Sequence, residues 1–135
     1  DLMITGNKIP LISEEKKMSN AINFMSKKKL GSLIVVDKKK FISGFISDGD
    51  LRRQRKKDIV HLKVKNFMTK NPICIDRKVL AAKALKVMSK KKITSLIVTG
   101  DKSGKKIRAV GIIDIHRIIE AGIKWKKIES YNCLC

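Results

Sequence analysis

At 135 residues, with 43% hydrophobic residues and a formal net charge of +20, the chain has room for one compact domain or two small repeats sharing a core, and excludes a large multidomain enzyme. Its apolar runs, 33–36, 41–46, 93–98 and 107–113, fall far short of the roughly 20 residues that cross a bilayer, so no membrane association is expected, and three cysteines that make no disulfide framework point to a reducing cytoplasm. Of the 32 basic residues 26 are Lys and 6 Arg, scattered as pairs and triples among only four Phe, one Tyr and one Trp. That pattern makes a basic RNA-binding module the least favoured of the functional readings, because bidentate phosphate and base-edge recognition favours Arg and stacking needs aromatic rings.

In chain order, Ile9–Ile12 reads as a short strand, with Pro10 suiting an edge position. Ser13 is placed to cap the next segment, with Glu14 and Glu15 near a helix start. Met18, Ile22 and Met25 form the apolar stripe of a helix. Leu33–Val36 and Phe41–Ser47 read as two strands joined by a Lys-rich turn at 38–40, and Asp48 or Asp50 starts a closing helix. The segment 63–70 reads as a linker with room for a short helix. A second series comes after it: strand Ile73–Ile75, a helix over 80–90 on Ala81, Ala84, Leu85 and Met88, strands Leu96–Thr99 and Ile107–Ile113, and a last helix near 115–121.

The two series are copies. Residues 21–35 align without gaps to 84–98 with ten identities in fifteen positions. Asp1-Leu2-Met3 matches Asn66-Phe67-Met68, and Gly44-Phe45-Ile46 matches Gly111-Ile112-Ile113. The expected fold class is therefore α/β (α+β), two tandem β-α-β-β-α repeats over 1–62 and 63–122 packed as a pseudo-twofold pair, with a tail at 123–135. A unit this small buries a core poorly alone. Two packed face to face would enclose a cleft walled by both repeats.

The repeat, with Gly44-Phe45-Ile46-Ser47-Asp48-Gly49-Asp50-Leu51 closing its first copy, resembles the CBS domain, a module that occurs in pairs and commonly binds adenosine or other nucleotides. The strings Asp1-Leu2-Met3-x-Thr5-Gly6, Ile9-Pro10, Leu30-Gly31, Ser47-Asp48-Gly49-Asp50-Leu51-Arg52-Arg53, Ile93-Thr94-Ser95, His116 and Ala121-Gly122 resemble the C-terminal half of the arabinose-5-phosphate isomerases. That resemblance implies a longer parent: an N-terminal sugar-isomerase domain that interconverts ribulose 5-phosphate and arabinose 5-phosphate on the way to the Kdo sugar of lipopolysaccharide. Its regulatory ligand would be an adenine nucleotide or a CMP-sugar, and its assembly a homo-oligomer, a dimer of CBS pairs. The fragment itself is expected to be inactive, with no catalytic residue, cofactor or metal. His61 and His116 form no nucleophile–base or metal-ligating pattern with other residues.

The resemblance implies that Ser47 and Asp50 hold the nucleotide. A carboxylate accepts hydrogen bonds from both ribose hydroxyls, while a hydroxyl side chain and helix-start N–H groups meet a phosphate. Asp50 as a plain helix cap is the competing reading. In the second copy Asp114 stands opposite Ser47 and Arg117 opposite Asp50, so a carboxylate is exchanged for a cation and binding should be asymmetric. Pro10, Leu11, Lys29, Lys92, Asp114, His116 and Arg117 complete the candidate cleft lining. Lys29 and Lys92 fit equally as solvated ends of lysine triples.

Overall fold

The computed structural model describes residues 3–54, 58–79, 81–100 and 106–115. It is a mixed α+β fold with two four-stranded sheets. In the first copy, strand β1 (Met3–Thr5) is followed by β2 (Leu11–Ser13), helix α1 (Met18–Lys28), β3 (Ser32–Val36), β4 (Ile42–Ser47) and α2 (Asp48–Arg53). The second opens on α3 (Val64–Phe67) and β5 (Thr69–Lys70), then runs through β6 (Cys74–Asp76), α4 (Ala81–Lys91), β7 (Ser95–Thr99) and β8 (Ala109–Asp114).

Each copy builds the same central motif. The first strand lies parallel to the second, Leu11 opposite Ile34 and Cys74 opposite Ile97, and the intervening helix makes the crossover a parallel pair requires. The third strand then returns antiparallel, with matching bulges after Val35 and Val98. Helix spacing puts Met18, Ala21 and Met25 on one face of α1, packed against Leu33, Val35, Ile46 and Val64. Ala84, Leu85 and Met88 of α4 pack on Ile75, Leu96, Val98 and Ile115. Both helices end in the same device. The N–H of Leu30 donates to Met25 O (2.9 Å), and that of Lys29 to Ser26 O (3.3 Å). Ile93 to Met88 O (2.9 Å) and Lys92 to Ser89 O (3.2 Å) repeat it. This double closure needs a left-handed residue, usually Gly, yet lysines supply it, at φ 53° for Lys29 and 55° for Lys92.

The fourth strand of each sheet is exchanged. β1 of the first copy pairs with β8 of the second, Met3 opposite Ile113. β5, at the start of the second copy, pairs with β4 of the first, Gly44 opposite Lys70. The two compact units therefore cut the chain differently from the sequence repeats: Pro10–Pro72 with Gly104–Arg108, here the Ser47 unit, and Asp1–Ile9 with Ile73–Ser103 and Ala109–Cys135, the Asp114 unit. The exchange explains the two matched glycines. A Cβ on Gly44 would run into the Met68 side chain and come within 2.9 Å of Thr69 O, and one on Gly111 would meet Met3 and approach Ile4 O to 3.0 Å.

Several expectations shift. The strand expected at Ile9–Ile12 is Leu11–Ser13, with buried Pro10 just before it donating nothing and its carbonyl accepting Ile34 N–H (2.8 Å). Ser13 does not cap α1. Its hydroxyl accepts Glu15 N–H (3.2 Å) in a local turn, while the helix starts at Met18, whose N–H donates to Leu62 O (2.8 Å). The strand expected at Ile107–Ile113 is Ala109–Asp114. Ile107 instead lies against the Ser47 unit, its carbonyl accepting Ile42 N–H (2.7 Å). Of the expected last helix only Ile115 is among the described residues, and the tail 123–135 lies outside them.

Candidate functional site

The sequence-predicted pair Ser47 and Asp50 is brought together by local chemistry. β4 ends at Ser47, opposite Ser32, and the chain turns into α2 with Asp48 N–H donating to Gly31 O (2.8 Å). Ser47 stays extended at φ −106°, ψ 158°, as a helix N-cap must. Its hydroxyl accepts Asp50 N–H (3.0 Å), and Asp50 Oδ2 accepts Ser47 N–H (3.0 Å), a reciprocal capping box. Arg53, one turn on, pairs with Asp50 Oδ1.

Asp50 is therefore a cap, and the competing reading is part of the structure. The carboxylate is not used up by it. Each oxygen has two lone-pair directions, one of which is taken on each by Ser47 N–H or Arg53. With 24% of the side chain exposed, a diol has acceptors left to reach. Arg53 is a functional candidate the sequence reading passed over. The signal for it was the i,i+3 spacing from Asp50.

The Asp114 unit ends its strand in the same way. Ser95 stands opposite Asp114, as Ser32 stands opposite Ser47, and Ile115 N–H donates to Thr94 O (2.8 Å) as Asp48 does to Gly31 O. The backbone is duplicated, and a carboxylate replaces the hydroxyl. His116 and Arg117 lie outside the described residues. Lys29 and Lys92 are solvent-exposed helix-end residues. Pro10 and half-buried Leu11 lie in the Ser47 unit beside Ile34.

A second cluster in the Ser47 unit anchors the linker. Glu15 receives Lys63 Nζ at 2.8 Å and Lys65 Nζ at 3.0 Å. The hydrogen bond from Lys63 and then that from Lys65 draw its carboxyl down to about 2. Backbone bonds run alongside, from Val64 N–H to Lys16 O (2.7 Å) and from Lys65 N–H to Glu14 O (3.0 Å). Among the described residues no group of three or more His, Cys, Asp or Glu is placed to hold a metal ion, and no helix is long and apolar enough to cross a membrane.

The two repeats, each built on the same parallel and antiparallel strand order with an exchanged fourth strand, define a tandem α+β module. The chain belongs to the CBS domain family, whose model matches residues 1–57 and 64–124. It is 38% identical over 124 residues to an uncharacterized protein of Rickettsia prowazekii. It is 32% identical over 126 residues to the arabinose 5-phosphate isomerase KdsD of Yersinia pestis, and so homologous to the CBS region of that protein. Either match takes in 91% of this chain and 37% of the relative. Among solved structures, a CBS-pair protein from Arabidopsis thaliana superposes with a TM-score of 0.76 at 19% identity, covering 94% of both chains. The cytosolic domain of the Mg2+ channel MgtE in complex with ATP superposes at 0.70 and 18% identity, covering 89% of this chain and 46% of that one.

Proposed function

We propose that this CBS pair is the nucleotide-sensing module of a cytoplasmic D-arabinose 5-phosphate isomerase. In this reading a sugar-isomerase domain precedes it in the same chain and interconverts ribulose 5-phosphate and arabinose 5-phosphate for Kdo and lipopolysaccharide synthesis. The CBS repeats run over 1–62 and 63–122, and dimerisation of pairs conveys the ligand signal to that domain. The ligand is an adenine nucleotide or a CMP-sugar, held by Ser47 and Asp50, with Pro10, Leu11 and Lys29 nearby in sequence order of the same repeat. Asp114, His116 and Arg117 replace that chemistry in the second repeat, so one nucleotide binds per chain.

The carrying observation is the Ser47–Asp50 box, which fixes a carboxylate at a strand end while leaving acceptor directions on both oxygens. The similarity to KdsD supports the parent enzyme, and the ATP complex of a structural neighbour supports the ligand class. Thermal unfolding tests the reading. A nucleotide at about a hundred times its Kd adds about 2.7 kcal/mol, so ATP, AMP or a CMP-sugar should raise the melting temperature of the wild type and leave that of Asp50→Ala unmoved. If none of them shifts the wild type, the sensing reading falls and a ligand-free oligomerisation module stands in its place.

A further inference from the structure

The lysines that are scattered in sequence are partly gathered in space. The turn between β3 and β4 carries Lys38, Lys39 and Lys40, all exposed. The segment 106–108, from the loop before β8, folds onto the same end of the Ser47 unit. There the Arg108 guanidinium lies 4.3 Å from the centroid of the Phe41 ring and donates to Lys39 O at 3.1 Å. The Lys106 ammonium sits over the same ring at 5.6 Å. Both cations are drawn to one aromatic ring, and they stand beside three more. The acid of the turn, Asp37, spends Oδ1 on the backbone N–H groups of Lys39 and Phe41. Lys40 holds φ 71°, a position a turn gives to Gly, so a cation stands where a less strained residue was available.

We propose that this end of the Ser47 unit, formed by Lys38, Lys39, Lys40, Lys106 and Arg108 around Phe41, binds the phosphodiester backbone of a nucleic acid strand without regard to sequence. A linear polyanion with one charge per repeat complements a row of ammonium groups. The cluster's one ring, half-buried, already holds two cations, so the contacts are assigned to phosphate rather than to stacked bases. A bilayer fits less well, because the exposed large apolar side chains of the described residues, Val60, Leu62 and Ile73, are not part of the cluster. This inference is independent of the nucleotide reading of Ser47 and Asp50.

Fluorescence anisotropy with a labelled uridine 20-mer tests it on the whole chain. If all five cations meet phosphates, log K falls against log salt with a slope of about −3.5, roughly a hundredfold loss between about 50 and about 200 mM. Lys38→Ala with Lys39→Ala should flatten that slope by about 1.4, and Lys106→Ala alone by about 0.7. Lys90→Ala with Lys91→Ala, an equal loss of charge from the exposed end of α4, should leave it unchanged. Circular dichroism confirms that each variant is folded. Equal weakening by the Lys90/Lys91 pair overturns the proposal in favour of bulk charge. Absence of binding at low salt overturns it outright, as does binding to phosphatidylserine vesicles without binding to the strand.

Discussion

The Ser47 unit and the Asp114 unit share a scaffold and differ in the chemistry mounted on it. Strand registers, bulges and helix ends coincide position for position. The strand-end hydroxyl of one is a carboxylate in the other, and Glu15, which ties down the linker, has Lys78 as its counterpart 63 residues on. Packing constrains the buried positions of both copies alike. The strand ends Ser47 and Asp114 are only half-buried, and there duplication leaves side chains free to diverge.

The widest test of that contrast is whether the scaffold behaves as two equal halves. Met25 and Met88 are equivalent and buried, at 4% and 0% exposure. Met25→Ala and Met88→Ala should each cost about 2–5 kcal/mol in urea unfolding, and a large disparity would break the equivalence. Gly44→Ala and Gly111→Ala come next, at about 1–3 kcal/mol each, because the new methyl meets the exchanged strand in either sheet. Ser47→Ala removes the cap of α2 and should cost about 1 kcal/mol. Lys29→Gly and Lys92→Gly, by contrast, should each stabilise by up to about 1 kcal/mol, since glycine takes the left-handed helix end without strain.

The smallest effect belongs to Glu15. Its carboxyl titrates at about 2 in the folded chain against an ordinary value of 4.5. A depressed pKa stabilises above the unfolded value and is lost as pH falls through the folded one, so the contribution should fade between about pH 4.5 and about pH 2. The pair is solvent-exposed, so the effect should be slight and should shrink with salt. Acid unfolding of Glu15→Gln against wild type checks it: the two curves should differ above pH 4.5 and converge toward pH 2.

Much of this scaffold was legible. Six of the ten shared residues, Ala21, Met25, Ser32, Leu33, Ile34 and Val35, are buried in the first copy, the other four being exposed at the helix end, and strands as apolar as Leu33–Val36 announce themselves. The exchange of edge strands was not legible, because β1 and β5 are three and two residues long and carry no period. Their matched methionines and glycines were visible only as an alignment. The three left-handed lysines break the rule that predicts Gly there. The fold of 106–108 onto Phe41 joins Arg108 to a ring 67 positions away, beyond any local pattern. At the site, the spacing of Ser47 and Asp50 carried two readings, cap and acceptor, and the structure builds the first as a reciprocal capping box.

Asymmetry between the units is the central claim, and isothermal titration of the chain with ATP, AMP and a CMP-sugar tests it most directly. The account predicts one molecule bound per chain by at least one of these ligands, lost in Asp50→Ala and kept in Arg117→Ala. Two molecules per chain, or loss of binding in Arg117→Ala with retention in Asp50→Ala, would contradict it.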